Sequence, residues 1–303
     1  MFSEPFDPDA VDRVRRVARV TLLESTDEAA LIEAVGDCHA LVVRTATRVT
    51  RQVIERAGRL RVIGRGGVGL DNVDIAAARE RGIEVVSTPG AATEAVADLT
   101  VGLILALVRR IVVGDAAVRA GGFVEERRTH RAAELSELTL GIVGMGRIGK
   151  AVGRRCYNGF GMRVVYNDIV DVEPVGLAAE SMSKEALFRA SDVVSLHVPL
   201  TGETRGLIDA AALAKFQRGA LLVNTARGAV VDGAALADAL ASGRIGGAGL
   251  DVFDPEPPPV DHPLLTAPNT CFSPHVGART RSGLSRMNGV VDEVIRILRE
   301  AQP

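Results

Sequence analysis

Short apolar runs rich in β-branched residues recur from one end of the chain to the other. RVTLLE (19–24), ALVVRT (40–45), RVIGRGG (61–67) and IEVVSTP (83–89) come first. TLGIVGMG (139–146), RVVYND (163–168), DVVSLHVPL (192–200), ALLVNTAR (220–227) and GAGLDVF (247–253) follow. Between the early runs lie DEAALIEAVGDCH, TRQVIERAGRL and NVDIAAARERG, each long enough for one crossover helix. Apolar runs alternating with single helices predict an α/β fold with parallel sheets.

Two longer segments set the organisation. From Glu94 to about Gly121 the chain reads as one long, mostly apolar helix, too apolar for an ordinary surface and expected to bridge domains or subunits. Its Thr100 to Val113 stretch has more hydrophobic surface than one small domain needs, which predicts a homodimer built on it. EERRTHRAAEL, next in the chain, reads as an exposed charged excursion, and RTRSGLSRMNGVVDEVIRILREA as a final helix. The expected domains are 99–278, and 1–98 with 279–303.

Length and composition narrow the class. A chain of 303 residues with 47% hydrophobic and 24% charged residues can bury a sizeable core and suggests two domains. A formal net charge of −2 gives no global field to gather nucleic acid or an anionic membrane, so a small-molecule partner is expected. Cys38, Cys156 and Cys271 are odd in number and widely spaced, without zinc-ligand spacing, which fits a reducing compartment and no metal. The acidic, proline-containing start lacks the pattern of a signal peptide, and Arg109 and Arg110 interrupt the longest apolar run. A cytoplasmic protein is expected.

TLGIVGMGRIGKAVGRR places Gly144, Gly146 and Gly149 in a GxGxxG pattern directly after a strand and at the mouth of a helix. Glycines there allow a tight turn, close approach of a pyrophosphate and close helix packing, with the helix N-terminus facing the phosphates. That predicts a Rossmann dinucleotide-binding domain, in which Arg147 and Ile148 join the glycines as cofactor-binding candidates. Asp168 ends the next strand, 168 − 149 = 19 residues past the last glycine, where an acid accepts hydrogen bonds from the ribose hydroxyls. No Lys or Arg follows in IVDVEPVG to neutralise a 2′-phosphate, so NAD is favoured over NADP.

Ligands of open α/β sheets gather at the carboxyl ends of the strands. His197, Arg227 and Asp251 each follow such an end, and Glu256 and His275 follow in a stretch from Gly249 that carries seven of the chain's 13 prolines. Oxidation of a secondary alcohol needs a base for the hydroxyl proton, and the reverse reaction needs that group protonated, which suits the imidazole of His275. A carboxylate beside it favours the charged ring and orients it, a role for Glu256, with the prolines stiffening both. Arg227 has a fork of donors matching a carboxylate, with pairing to Asp232 as the alternative.

Over nearly its whole length the chain resembles the NAD-dependent D-2-hydroxyacid dehydrogenases, most of all the short phosphoglycerate dehydrogenases. RGGVGLDNVD, STPGAATEAVADLTVGLILALVRR, LGIVGMGRIG, HVPLTGETRGLID, NTARGAVVD, GLDVFDPEP and SPHVGA carry the resemblance in order. It implies Arg227, Glu256 and His275 as the catalytic set, Asp251 on the nicotinamide amide, and a smaller flavodoxin-like substrate domain beside the Rossmann domain. His197 is read as a wall of the cofactor pocket, and Pro199, Thr204, Thr225 and Ala226 complete the cofactor-binding candidates.

The substrate reading rests on Arg44 and Arg65, each at a strand end, beside GGVG, where the backbone N–H groups of Val68 and Gly69 could hold a carboxylate. Two cations beyond Arg227 suit a phosphate, so 3-phosphoglycerate oxidation is expected, as in serine biosynthesis. Glyoxylate or hydroxypyruvate reduction is the alternative within the family. An NAD-sensing corepressor resembling the C-terminal-binding proteins is the alternative from another class.

Overall fold

The computed structural model describes residues 1–23 and 25–300. It divides into two compact units, Met1–Ala92 together with the chain from Ala278 onward, and Thr93–Gly277. The boundary expected between 98 and 99 would cut the helix Thr93–Val108; the division falls before that helix, in the turn that leads into it.

Among its described residues the first unit holds three parallel strands, β1 (Ala40–Val43), β2 (Val62–Arg65) and β3 (Glu84–Ser87), in the order β1-β2-β3. Successive residues of β1 face opposite sides, as a strand requires. Leu41 and Val43 join one apolar cluster, with Leu31, Val53, Ile54 and Ala77 of the crossover helices. Ala40 and Val42 join the other, with Val11 and Val14 on one side of the chain and Val290, Val291 and Val294 from its far end. A Cβ on Gly64 would lie 2.6 Å from Val294 Cγ2, so only glycine lets the helix Val290–Glu300 sit this close to β2. Over its described residues, 19–23, RVTLLE does not form the expected strand. Leu22 makes a single parallel bridge to Phe2, and Phe2 another to Val42. Counting those bridges as vestigial strands, the order becomes Leu22, Phe2, β1, β2, β3, which is the 2-1-3-4-5 order of a flavodoxin-like sheet with its first two strands reduced to one residue each.

The second unit holds seven parallel strands: β4 (Thr139–Val143), β5 (Arg163–Asn167), β6 (Ala179–Ser181), β7 (Val193–Leu196), β8 (Leu221–Asn224), β9 (Gly247–Leu250) and β10 (Thr270–Phe272). Their order is β10-β9-β8-β7-β4-β5-β6. The strand sequence runs outward in one direction from β4 and in the other from β7, so the switch point of a Rossmann sheet lies between them. β6 and β10, three residues each, are edge strands that carry no clear apolar run.

The long apolar segment is not one helix. It ends at Val108, Arg110 takes a left-handed conformation (φ 52°), and a second helix runs Ile111–Arg119. The first helix buries Ala97, Thr100, Ile104 and Leu107 within its own unit, against β8, β9, β10 and the helix Arg147–Phe160. Its apolar character therefore answers largely to the Rossmann core, and most of the Thr100–Val108 part of the surface expected to build a dimer is already covered, with Gly102 exposed and Leu105 and Ala106 half-buried. Ile111, Phe123 and Val124, at 55%, 55% and 77% exposure, lie beyond the break. Part of the expected charged excursion is also helical, over Phe123–Thr129.

Candidate functional site

The glycine loop follows β4. Gly144 has φ 93°, and a Cβ there would meet the His197 carbonyl oxygen at 2.7 Å; one on Gly149 would meet the Gly144 carbonyl oxygen at 2.2 Å. Those two glycines are demanded by the protein itself. Gly146 is different: it is the residue before the helix Arg147–Phe160, its backbone is extended, and a Cβ would meet nothing within 4 Å. An exposed glycine that no neighbour requires, at a helix N-terminus, fits the close approach of a pyrophosphate. Asp168 lies beside this loop, its Oδ2 accepting the Met145 N–H at 2.7 Å and its Oδ1 the Val170 N–H at 3.2 Å. The open glycine turn and the accepting carboxylate fit a dinucleotide with free ribose hydroxyls.

Around it, Arg147 is exposed and Ile148 half-buried on the first helical turn. His197 Nε2 lies 2.8 Å from Ser195 Oγ, and burial pushes the imidazole down to about 3, so the ring is neutral. Thr204 Oγ1 donates to the Pro199 carbonyl at 2.6 Å and closes the loop after β7. Thr225 pairs with Thr100 at 2.9 Å, fixing the end of β8 to the long helix, with Ala226 buried beside it.

The ends of β8, β9 and β10 bring the expected catalytic residues together. His275 Nδ1 lies 2.7 Å from Glu256 Oε2, and Glu256 Oε1 accepts the Phe253 N–H at 2.9 Å. With Nδ1–H committed to a carboxylate, Nε2 is the nitrogen that exchanges a proton. Partial burial works against the Glu256 charge, yet the hydrogen bonds from His275 and Phe253 and the charges of His275 and Arg227 outweigh it and hold the carboxyl below its ordinary value. Arg227 stands in this field, its Nη1 donating to the Ala226 carbonyl at 2.7 Å. Asp232 caps the helix Gly233–Ala241 through the N–H groups of Ala234 and Ala235.

Asp251, expected on the nicotinamide amide, has its carboxylate engaged in a structural task. Its Oδ1 accepts Ser273 Oγ at 2.6 Å and Val276 N–H at 2.9 Å, its Oδ2 accepts Gly277 N–H at 2.9 Å, and its carbonyl accepts His275 N–H at 2.8 Å. These bonds hold His275 in a left-handed conformation, φ 52°, that a side chain rarely adopts. Sequence reasoning placed Asp251 near the site; the staple it forms depends on residues 22 to 26 positions away.

Arg44 and Arg65 lie in the first unit and are both buried. Arg44 lies 4.1 Å from the Phe6 ring centroid and donates to Asn288 Oδ1 at 2.5 Å and the Pro5 carbonyl at 3.2 Å. Glu4 accepts the backbone N–H groups of Arg44 and Thr47, bracing the same turn. Arg65 folds beneath its own glycine loop: a Cβ on Gly67, φ 147°, would fall 1.5 Å from Arg65 Nη1. Its Nη2 donates to Thr45 Oγ1 at 3.2 Å. Val68 is exposed and Gly69 half-buried above it. Among the described residues no cluster of His, Cys, Asp or Glu could hold a metal ion, and no helix is long and apolar enough to cross a membrane.

Comparison with known proteins adds an independent line. Residues 101–277 match the model of the D-isomer specific 2-hydroxyacid dehydrogenase NAD-binding domain. The chain is 40% identical over 303 residues to D-3-phosphoglycerate dehydrogenase of Methanocaldococcus jannaschii, covering 98% of this chain and 56% of that protein. It is 37% identical over 301 residues to hydroxypyruvate reductase of Thermotoga maritima, covering 98% and 96%. It thus spans about half the length of the phosphoglycerate dehydrogenase and nearly all of the reductase. Among solved structures, D-lactate dehydrogenase of Aquifex aeolicus, complexed with NAD and lactic acid, superposes with a TM-score of 0.88 at 29% identity, over 98% of this chain and 93% of that one.

Proposed function

Since the chain belongs to the D-isomer specific 2-hydroxyacid dehydrogenase family and carries its NAD-binding domain, we propose that it exchanges a hydride between NAD and a D-2-hydroxy acid. The observation that carries this reading is the His275–Glu256 pair, 2.7 Å apart, on the loops after β10 and β9, next to the loop after β8 that carries Arg227. NAD, when bound, supplies the hydride acceptor. His275 Nε2 takes the hydroxyl proton, and in reduction returns it to the carbonyl oxygen. Glu256 fixes the ring's tautomer and stabilises the imidazolium. Arg227 holds the substrate carboxylate in its planar fork.

The proposed substrate is 3-phosphoglycerate. Support comes from the small unit, which sets two arginines at adjacent strand ends and tucks one guanidinium directly under Gly67, where a cation and backbone N–H groups suit an anion. Reduction of glyoxylate or hydroxypyruvate is the second reading, favoured by 37% identity to a hydroxypyruvate reductase and by Arg44 already holding Asn288, Pro5 and Phe6. A substrate panel followed at the NADH absorbance, run on wild type, Arg44→Ala and Arg65→Ala, separates them. Loss of a charge-assisted contact costs about 1.5 to 3 kcal/mol, or on the order of 10- to 150-fold in kcat/KM. That loss is expected with the phosphorylated substrate and much less with glyoxylate. Equal losses on both, with preference for glyoxylate, move the assignment to the reductase; no turnover on any 2-hydroxy or 2-oxo acid while NADH binds favours the sensor reading.

The proposed assembly is a homodimer. The apolar surface that needs covering is Ile111, Val112, Val118, Phe123 and Val124 on the two helices after the break at Arg110, and a second copy is proposed to cover it.

A further inference from the structure

Asn224 ends β8, is only 1% exposed, and belongs to none of the roles assigned so far. Both polar atoms of its side chain are engaged. Oδ1 accepts the Ala226 N–H at 3.0 Å and Nδ2 donates to the Arg227 carbonyl at 2.8 Å. The turn carrying Arg227 is thereby closed from both sides by one amide. The same Arg227 carbonyl also accepts the Val230 N–H at 3.2 Å.

Beyond Arg227 the chain has no room to move. A Cβ on Gly228 would lie 1.9 Å from the Phe253 carbonyl carbon and 2.5 Å from the Asp254 nitrogen, so the turn presses directly on the loop that holds Glu256. Following the contacts returns to the start. Phe253 N–H binds Glu256, Glu256 binds His275, His275 N–H binds the Asp251 carbonyl, and Asp251 N–H binds the Asn224 carbonyl at 3.0 Å. Three loops are closed into one circuit, and on the β8 side the Asn224 side chain closes it.

We infer that Asn224 is the positioning residue for Arg227, setting the direction of the guanidinium while making no contact with substrate itself. The inference rests on the proposed role of Arg227 in binding a carboxylate, but its structural half can be read without any turnover. An amide is suited to this position: it accepts and donates at once, whereas an aspartate would turn a second oxygen toward the Arg227 carbonyl and bury a charge. Serine is shorter and can keep the Ala226 bond as a local turn, but it cannot reach Arg227.

The test compares wild type with Asn224→Ser by amide hydrogen exchange and by steady-state kinetics. In the serine variant, exchange over residues 226–231 should quicken on the order of ten-fold and spread to 253–256, while residues 144–150 stay unchanged. KM for the 2-oxo acid should rise on the order of ten-fold, kcat should fall less, and KM for NADH should stay within about two-fold. Unchanged exchange over 226–231, or unchanged KM for the 2-oxo acid despite faster exchange, overturns the inference. If exchange quickens as expected but wild type reduces no 2-oxo acid, the clip stands and the proposed activity falls. Should the serine variant fail to fold, wild type still decides: the Ala226 and Val230 amides must be protected on the scale of the unit's core strands, and rapid exchange there overturns the clip.

Discussion

His275 combines two requirements that oppose each other in an ordinary loop: a left-handed backbone and a fixed ring. The Asp251 staple meets the first and Glu256 the second. His275→Ala should therefore abolish turnover, by about 100-fold or more, yet bind NADH as wild type does, because the cofactor loop lies elsewhere; a fluorescence titration beside the rate assay checks both. His197 makes a prediction in pH. Burial holds its ring near 3 against 6.5 for a free imidazole, so between those values the unfolded chain takes up a proton that the folded chain refuses. Stability then falls as pH drops through 6.5, by about 2 kcal/mol at pH 5. Urea midpoints at pH 7 and 5 should differ less in His197→Gln than in wild type. The Glu256 carboxyl acts at lower pH. Its value is depressed, so its stabilisation is present above about 4.5 and is lost as pH falls below.

The elements show how far the sequence speaks for itself. The β4 strand, the glycine turn and Asp168 are legible because their signals fall in one short stretch, 139–168, and Glu256 and His275 because one proline-rich stretch carries both. What could not be read depends on partners far away. β6 and β10 are edge strands held by a neighbour's register, Leu22 pairs with a single residue, and Asn224 looks like any strand-end asparagine until Phe253 is placed against Gly228. The helix break at Arg110 has no glycine or proline to announce it. The glycine loop permits a sharper test. Gly146→Ala should leave thermal stability within about 0.5 kcal/mol but weaken NADH binding, since only a ligand needs that space. Gly149→Ala should lose several degrees in Tm, because its Cβ would strike the Gly144 carbonyl. Calorimetry with and without NADH distinguishes them, and a Gly146→Ala variant that binds NADH normally would remove the pyrophosphate from that position.

At the scale of the molecule, the long helix carries the clearest lesson. Its composition suggests a surface seeking a partner, whereas it is mainly a core element lying across β8 and β9. The dimer proposal now stands on the shorter helices that follow. Sedimentation should show a dimer at micromolar concentration, and Val124→Asp with Phe123→Ser should shift it toward monomer without changing the far-ultraviolet dichroism; an unaltered dimer would place the contact on another face.

The small unit is assembled from both ends of the chain, with Val290 and Val294 closing over Gly64 and Val42. During synthesis this has a consequence of timing. The first 92 residues leave the ribosome with one face of their sheet only partly covered, by Val11 and Val14 of the first helix, and without the Val290 and Val294 side chains that complete it. The whole Rossmann unit is made next and can complete its own core, since it is continuous in sequence. The small sheet must wait for nearly 200 residues of further translation before its last helix arrives, so its apolar face is the surface of the nascent chain that most needs a chaperone.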